Sequence, residues 1–133
     1  MTDWQTVRLD SIHEEPLDPE IIPLCDALNA AGFVTVASCW GHGGQWPCVV
    51  FEHSSDDRIE SLARFIFTEE EGDFRPYHSR LRKEFQLNGY LWMIEAHLDD
   101  VYEDTPIAEV EEKARSALAN MTYLINLWSS LNP

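Results

Sequence analysis

The sequence predicts an α+β fold, an antiparallel sheet of about four strands with helices packed on one face. Three observations carry that expectation. "FVTVASC" and "CVVFEH" are short β-branched, apolar runs on either side of a glycine-rich loop. Asn88-Gly89 stands between two alternating runs, the strongest short-range hairpin signal. Three other segments repeat apolar residues at helical spacing. The predicted order is helix, strand, strand, helix, strand, strand, helix. Mostly hairpin connections of this kind suit helices layered on an antiparallel sheet. A chain of 133 residues predicts one domain over 1–133.

Each element has its own signal. "QTVRLDSI" alternates enough for a short strand near the start. Asp18 can cap a first helix, with Pro19 at its first position and Glu20 complementing the dipole. Ile21, Leu24, Cys25 and Leu28 then form one apolar face, and Gly32 is a natural stop. Pro23 is tolerable only in the first turn. The strands "FVTVASC" and "CVVFEH" follow, with the loop Trp40 to Pro47 between them. Ser54 or Ser55 can cap a helix over Asp56 to Thr68, with Ile59, Leu62, Ala63 and Ile66 on one face and "EEEGD" breaking it. Around Asn88-Gly89, Leu81, Phe85 and Leu87 share one face, and Trp92, Ile94, Ala96 and Leu98 share another. Thr105-Pro106 reads as a cap and first helical residue. Ile107, Val110, Ala114, Leu118, Met121, Ile125 and Trp128 then form a continuous core stripe.

Charge limits the partners. Twenty-four Asp and Glu face nine Lys and Arg, a formal net charge of −15. Such a chain is repelled by nucleic acid and by anionic membranes, and attracts basic surfaces. Solubility alone is the bland reading of that acidity. Residues 1–53 hold eight acids and one base, Arg8, and residues 96–133 hold seven acids and two bases. The middle holds the basic cluster Arg75, Arg80, Arg82 and Lys83. No apolar run reaches the roughly 20 residues of a membrane span. The opening "MTDWQTVRLDSIHEE" has no basic-then-apolar pattern, so no secretory signal is expected. Three cysteines are too few for a disulfide framework, which predicts a reducing, cytoplasmic location.

The least ordinary stretch is "VTVASCWGHGGQWPCVVFEH", residues 34–53. Cys39-x2-His42 and Cys48-x4-His53 imitate a zinc pattern. On a strand, however, Cys48 and His53 point to opposite faces, about 16 Å apart at roughly 3.3 Å per residue. Cys39, Cys48 and His42 could meet at the loop, with a remote His78 or His97 completing a metal site. The expectation is nevertheless no stoichiometric metal and no cofactor. Cys39 and His42 are alternatively a candidate nucleophile pair, the imidazole lowering the thiol's pKa. Ser38, Cys39, Trp40, Gly41, His42 and Gly43 are alternatively a ligand loop, with glycine backbone near an anion and Trp40 and Trp46 stacking on a flat ring. The bland reading is a tight turn closed by two core tryptophans.

"LNAAGFVTVASCWGHG" resembles a pattern in small uncharacterised phage and prophage proteins, LN-x-x-G-(F/Y)-x-T-x-x-S-C-x-G-H-G. Leu28, Asn29, Gly32, Phe33, Thr35, Ser38, Cys39, Gly41, His42, Gly43 and Pro47 match. The resemblance implies a mobile-element setting and carries no activity. A looser resemblance is to the wybutosine-synthesising tRNA methyltransferase family, through Asn29, Thr35, Ser38, Cys39 and Gly41. His42 replaces that family's Arg, and the acidic charge suits a tRNA surface poorly.

Two functions follow as expectations. The first is a non-enzymatic inhibitor that binds a basic host nucleic-acid-binding defence complex, as an anti-CRISPR protein or DNA mimic would. Asp99, Asp100, Glu103, Asp104, Glu14, Glu15 and Asp18 are its expected partner-binding residues. A domain near 36 Å across, from a radius of gyration of about 14 Å, spans DNA carrying about 21 phosphates. Mimicry therefore needs a dense acidic row on one face. The second is a small enzyme or metal- or ligand-binding domain centred on Cys39 and His42. The sequence leaves the oligomeric state open.

Overall fold

The structure, a computed structural model, describes residues 18–41, 46–52, 55–70, 77–86 and 89–133. The expected strand at "QTVRLDSI" lies outside them. The first helix, α1, is Ile22–Ala30. It starts later than Asp18-Pro19 suggests: Ile21 is its N-cap, without a side-chain cap, and Pro23 is its second helical residue. Pro23 has no N–H to give to a carbonyl one turn back, so the helix can only begin where that donor is not needed. Asp18 is part of the preceding turn, its carbonyl accepting from the Ile21 N–H at 3.1 Å.

The end of α1 is fixed as the sequence predicts. Gly32 has φ 96°, a left-handed conformation that a side chain would resist. The N–H groups of Gly32 and Phe33 then donate back to the carbonyls of Asn29 and Leu28 at 3.1 and 3.0 Å. These bonds satisfy the last carbonyls of the helix and drop Phe33 into the core. Asn29 Oδ1 accepts from both the N–H and the hydroxyl of Thr35, each at 3.1 Å. Thr35 is the buried polar side chain of the core, so the bond offsets its desolvation.

Four strands form one antiparallel sheet in the order β1-β2-β4-β3: β1 Val34–Cys39, β2 Cys48–Glu52, β3 Tyr77–Gln86 and β4 Gly89–Leu98. β1 and β2 pair as the expected hairpin, from Val34 opposite Glu52 to Cys39 opposite Cys48. The register shifts between Thr35 and Ala37, so Val36 is an extra residue there. The β3–β4 ladder departs from the sequence reading. Gln86 is opposite Gly89, so Gly89 belongs to the ladder and the joining residues are 87 and 88, which lie outside the described residues. Compared with an Asn88-Gly89 turn, every pair slides by two residues while every side chain keeps its face. The ten-pair ladder places Leu81 opposite Ile94 and Tyr77 opposite Leu98. Packing over that length outweighs the preference of one two-residue turn.

Helix α2 is Asp56–Glu70, and α3 is Ile107–Leu131. Ser55 caps α2, its hydroxyl accepting from the Arg58 N–H at 3.3 Å. Ile59, Leu62 and Ile66 are buried as expected, whereas Ala63 is half-buried. In α3, Pro106 is the N-cap and Thr105 is not. The Thr105 hydroxyl instead accepts from the Tyr102 N–H at 2.9 Å, in the turn before the helix. The predicted stripe is buried from Val110 to Trp128, but Ile107 is exposed, since the first turn runs past the core.

The three helices of the described residues cover one face of the sheet. Their buried side chains, Leu124 apart, share a single cluster with Phe33, Trp40, Val49, Phe51, Ile94, Ala96 and Leu98. Each large side chain removed from water there contributes about 1.5–3 kcal/mol. Arg58 ties the layer together. Its guanidinium donates twice to the Ala31 carbonyl, at 3.0 and 3.3 Å, and once to the Asn132 carbonyl at 3.0 Å. Its planar end lies 4.6 Å from the Trp128 ring. One side chain thus joins the ends of α1 and α3 to the start of α2. The opposite face of the sheet has its own small cluster of Val36, Ala37, Cys48, Val50, Leu91 and Met93, to which none of the three helices contributes a residue.

Candidate functional site

Two places gather the groups singled out in the sequence. The first is the connection from β4 into α3, residues 99–106. Asp100 has φ 56°, the one non-glycine residue with positive φ among the described residues. An aspartate tolerates this better than most, at a cost of about 1–2 kcal/mol. Beyond it, Thr105 and Tyr102 are bonded to each other twice, since the Thr105 N–H also donates to the Tyr102 carbonyl at 3.0 Å. The backbone is thereby held while the Tyr102 ring stays 69% exposed and Ile107, one turn on, 62% exposed. Asp100, Glu103, Asp104, Glu109 and Glu112 are exposed around them, and Asp99 is half-buried. Asp99, Asp100, Glu103 and Asp104 therefore share one short connection. Asp18 is half-buried at the start of α1, and Glu14 and Glu15 lie outside the described residues.

The second place is the glycine-loop end of the β1–β2 hairpin. Cys39 and Cys48 are directly opposite each other across the two strands, and no disulfide joins them. Glu95 is opposite Cys48 on the next strand, and Arg80 is opposite Glu95 on the last. Directly opposed residues share a face, so Cys39, Cys48, Glu95 and Arg80 form a row across all four strands. This is the face opposite the described helices. Cys39 is half-buried on an edge strand, and Cys48 is 7% exposed. Burial pushes the Cys48 thiol up to about 12, with Cys39 and Glu95 adding to the rise and Arg82 opposing it. At neutral pH Cys48 is therefore held as the thiol, which does not suit a resting nucleophile. Cys25 is raised to about 11, again chiefly by burial, and bonds Ser38 on the helix side of β1.

The other loop residues separate. Trp40 is buried in the main core, with the Arg115 guanidinium 5.6 Å from its ring, so it offers no open face for a flat ligand. Gly41 is buried with φ 87°, a conformation its lack of Cβ permits. His42, Gly43 and His53 lie outside the described residues. Trp46 packs on His97, with ring centroids 3.7 Å apart, and His97 Nδ1 is 3.8 Å from Asp99 Oδ1. That distance exceeds a hydrogen bond and leaves a charge contact when the imidazole is protonated. Trp46, His97 and Asp99 thus run from the hairpin end to the acidic connection. Among the described residues, no three His, Cys, Asp or Glu side chains gather as a metal site, and no helix is long and apolar enough to cross a membrane.

Scanning family models, curated proteins and solved structures returns no match for this chain.

Sequence reasoning missed Glu95 and Tyr102, and it named Arg82, His97 and Ile107 only in other roles: a basic cluster, a remote metal ligand and a core stripe. The hairpin register would have found Glu95 and Arg82 had the β2–β4 pairing been known. Tyr102 carried no signal, and Ile107 carried a misleading one, since it continues the apolar stripe of α3.

Proposed function

We propose that this chain is a non-enzymatic binding protein that docks residues 99–112 onto a basic surface of a host nucleic-acid-binding defence complex. The observation that carries this reading is the pair of exposed apolar side chains, Tyr102 and Ile107, set among exposed carboxylates on a backbone fixed by the Thr105 turn. Solvation alone needs carboxylates and does not need a tyrosine or an isoleucine in water. Apolar anchors within a polar rim are what a protein interface uses. The surrounding acids steer the encounter with a basic partner and weaken it as salt rises. The phage-like pattern at Leu28 to Gly43 supports a mobile-element setting, and anti-CRISPR activity with partial DNA mimicry is the specific form proposed.

The test is a DNA-binding assay on purified CRISPR effector complexes, with and without this protein. The proposal expects inhibition that falls steeply between low and physiological salt. It also expects inhibition to be lost when Asp99, Asp100, Glu103 and Asp104 are changed to lysine, and reduced at least tenfold by Tyr102→Ala. Inhibition that survives the charge reversals but disappears with Cys39→Ala would hand the function to the hairpin end. That second reading, chemistry at Cys39, is favoured by its half-buried place opposite Cys48.

A further inference from the structure

We infer that Cys39 and Cys48 are a reversible dithiol–disulfide pair that locks edge strand β1 to β2 under oxidising conditions. The geometry is that of the hairpin. Directly opposed residues on antiparallel strands have Cα atoms about 4.5 or 5.5 Å apart, depending on the hydrogen-bonding site. Both values fall within the roughly 4.4–6.8 Å that a disulfide spans. Cys39 and Cys48 are such a pair and project to the same face. The third cysteine is excluded by placement. Cys25 is on the buried face of α1 and bonds Ser38, whose side chain points to the helix face, while Cys39 points to the other.

The two thiols differ in access, which gives the reaction an order. β1 is an edge strand and Cys39 is half-buried, so Cys39 is the thiol that an oxidant reaches. Take a small-molecule disulfide such as oxidised glutathione. The Cys39 thiolate attacks one of its sulfurs, forming a mixed disulfide and releasing the first glutathione thiolate, which takes up a proton. Cys48 then loses its proton to solvent and attacks Cys39 Sγ, releasing the second glutathione thiolate. Two electrons pass from the two protein thiols to the oxidant, and two glutathione thiols leave. Burial disfavours the Cys48 thiolate, so the second step is the slow one and quickens as pH rises. The bond closes the loop between Trp40 and Pro47 into a ring. A cross-strand bond at a partly open edge belongs with labile, regulatory disulfides more than with structural ones.

The experiment equilibrates the full chain in buffers of graded oxidised-to-reduced glutathione. Remaining thiols are then blocked, and the peptides are mapped by mass spectrometry. The expected result is joint loss of two thiols with a Cys39–Cys48 cross-link, while Cys25 stays blockable after unfolding. Cys48→Ala removes the cross-link and leaves glutathione on Cys39, and Cys39→Ser leaves both remaining thiols unmodified. Comparing the alanine variant with the native chain by circular dichroism separates lost chemistry from lost folding. Stable glutathione on Cys39 of the native chain beside an intact Cys48 thiol overturns the inference. So does a cross-link through Cys25, or no reaction across the whole redox range.

Discussion

The two faces of the sheet are built from the same strands and do different things. Along β4, Ile94, Ala96 and Leu98 point under the helices, while Leu91, Met93, Glu95 and His97 point the other way. The helix face is mainly apolar, with Thr35 bonded to Asn29 as its buried polar side chain, and it is closed by Trp128, Phe33 and Phe51, which pack ring against ring at 5.3–5.9 Å. The other face is apolar only at its centre. Toward the hairpin end it carries two thiols, a carboxylate, an imidazole and, on β3, two arginines. The larger core lies on the first face, and the thiols, the carboxylate and the imidazole lie on the second, where Cys39, Glu95 and His97 are half-buried. A period of two is enough to separate these roles within single strands.

The sharpest way to break that comparison is to truncate one side chain on each face. Trp128→Ala should cost about 3–5 kcal/mol, because it leaves a large cavity among rings and removes the bond from its Nε1–H to Ser61 at 3.2 Å. Met93→Ala should cost about 2–3 kcal/mol, nearer the lower end for a core methionine, since its cluster is small. Urea unfolding followed by tryptophan fluorescence measures both. Equal costs would mean the second face is as tightly built as the first.

Arg58 tests whether the helix layer needs its pin. Arg58→Ala should cost about 2 kcal/mol, through three lost bonds to carbonyls and the contact with Trp128. Arg58→Lys should recover less than half of this, because an ammonium cannot reproduce the guanidinium fork. Full rescue by lysine in the same unfolding assay would reduce the pin to simple charge.

A smaller effect is expected from Gly32→Ala, about 1 kcal/mol, because alanine resists φ 96°. An unchanged melting temperature would show that the end of α1 can relax into a right-handed form.

The remaining effect is in pH dependence; it is absent at neutral pH, appears only at alkaline pH, and belongs to the second face. Burial pushes the Cys48 thiol up from its ordinary value of 9.0 to about 12 in the folded chain. The folded form therefore holds its proton longer, and the stabilising difference is fully present below pH 9. It is lost as pH climbs from 9 toward 12, where the unfolded chain ionises first. Cys48→Ala should flatten part of the alkaline fall in stability, and Cys25, raised to about 11, should keep the rest. Identical alkaline titrations of the two proteins would mean that Cys48 ionises as easily folded as unfolded.

Much of this architecture follows from local chemistry. The end of α1 at Gly32, the Ser55 cap, the two strands around the glycine loop and the stripe from Val110 to Trp128 are set by residues within a turn or two of each other. They are therefore legible in the sequence. So was the meeting of Cys39 with Cys48, which needed only a hairpin between adjacent strands. The rest required partners distant along the chain. That β2 lies beside β4, bringing Glu95 to Cys48, depends on which strand edges meet, and strand pairing leaves no local mark. The slide of the β3–β4 register was decided by packing over ten pairs against one turn's preference. Ile107 reads as core because periodicity records which way a side chain points along a helix, but not where the core beneath it ends. Gly32 and Thr35, within a stretch that invites a chemical reading, serve to join a helix to a strand. Only the tertiary structure separates them from Cys39, because a glycine that bends a chain and one that admits a ligand are the same letter until their surroundings are known.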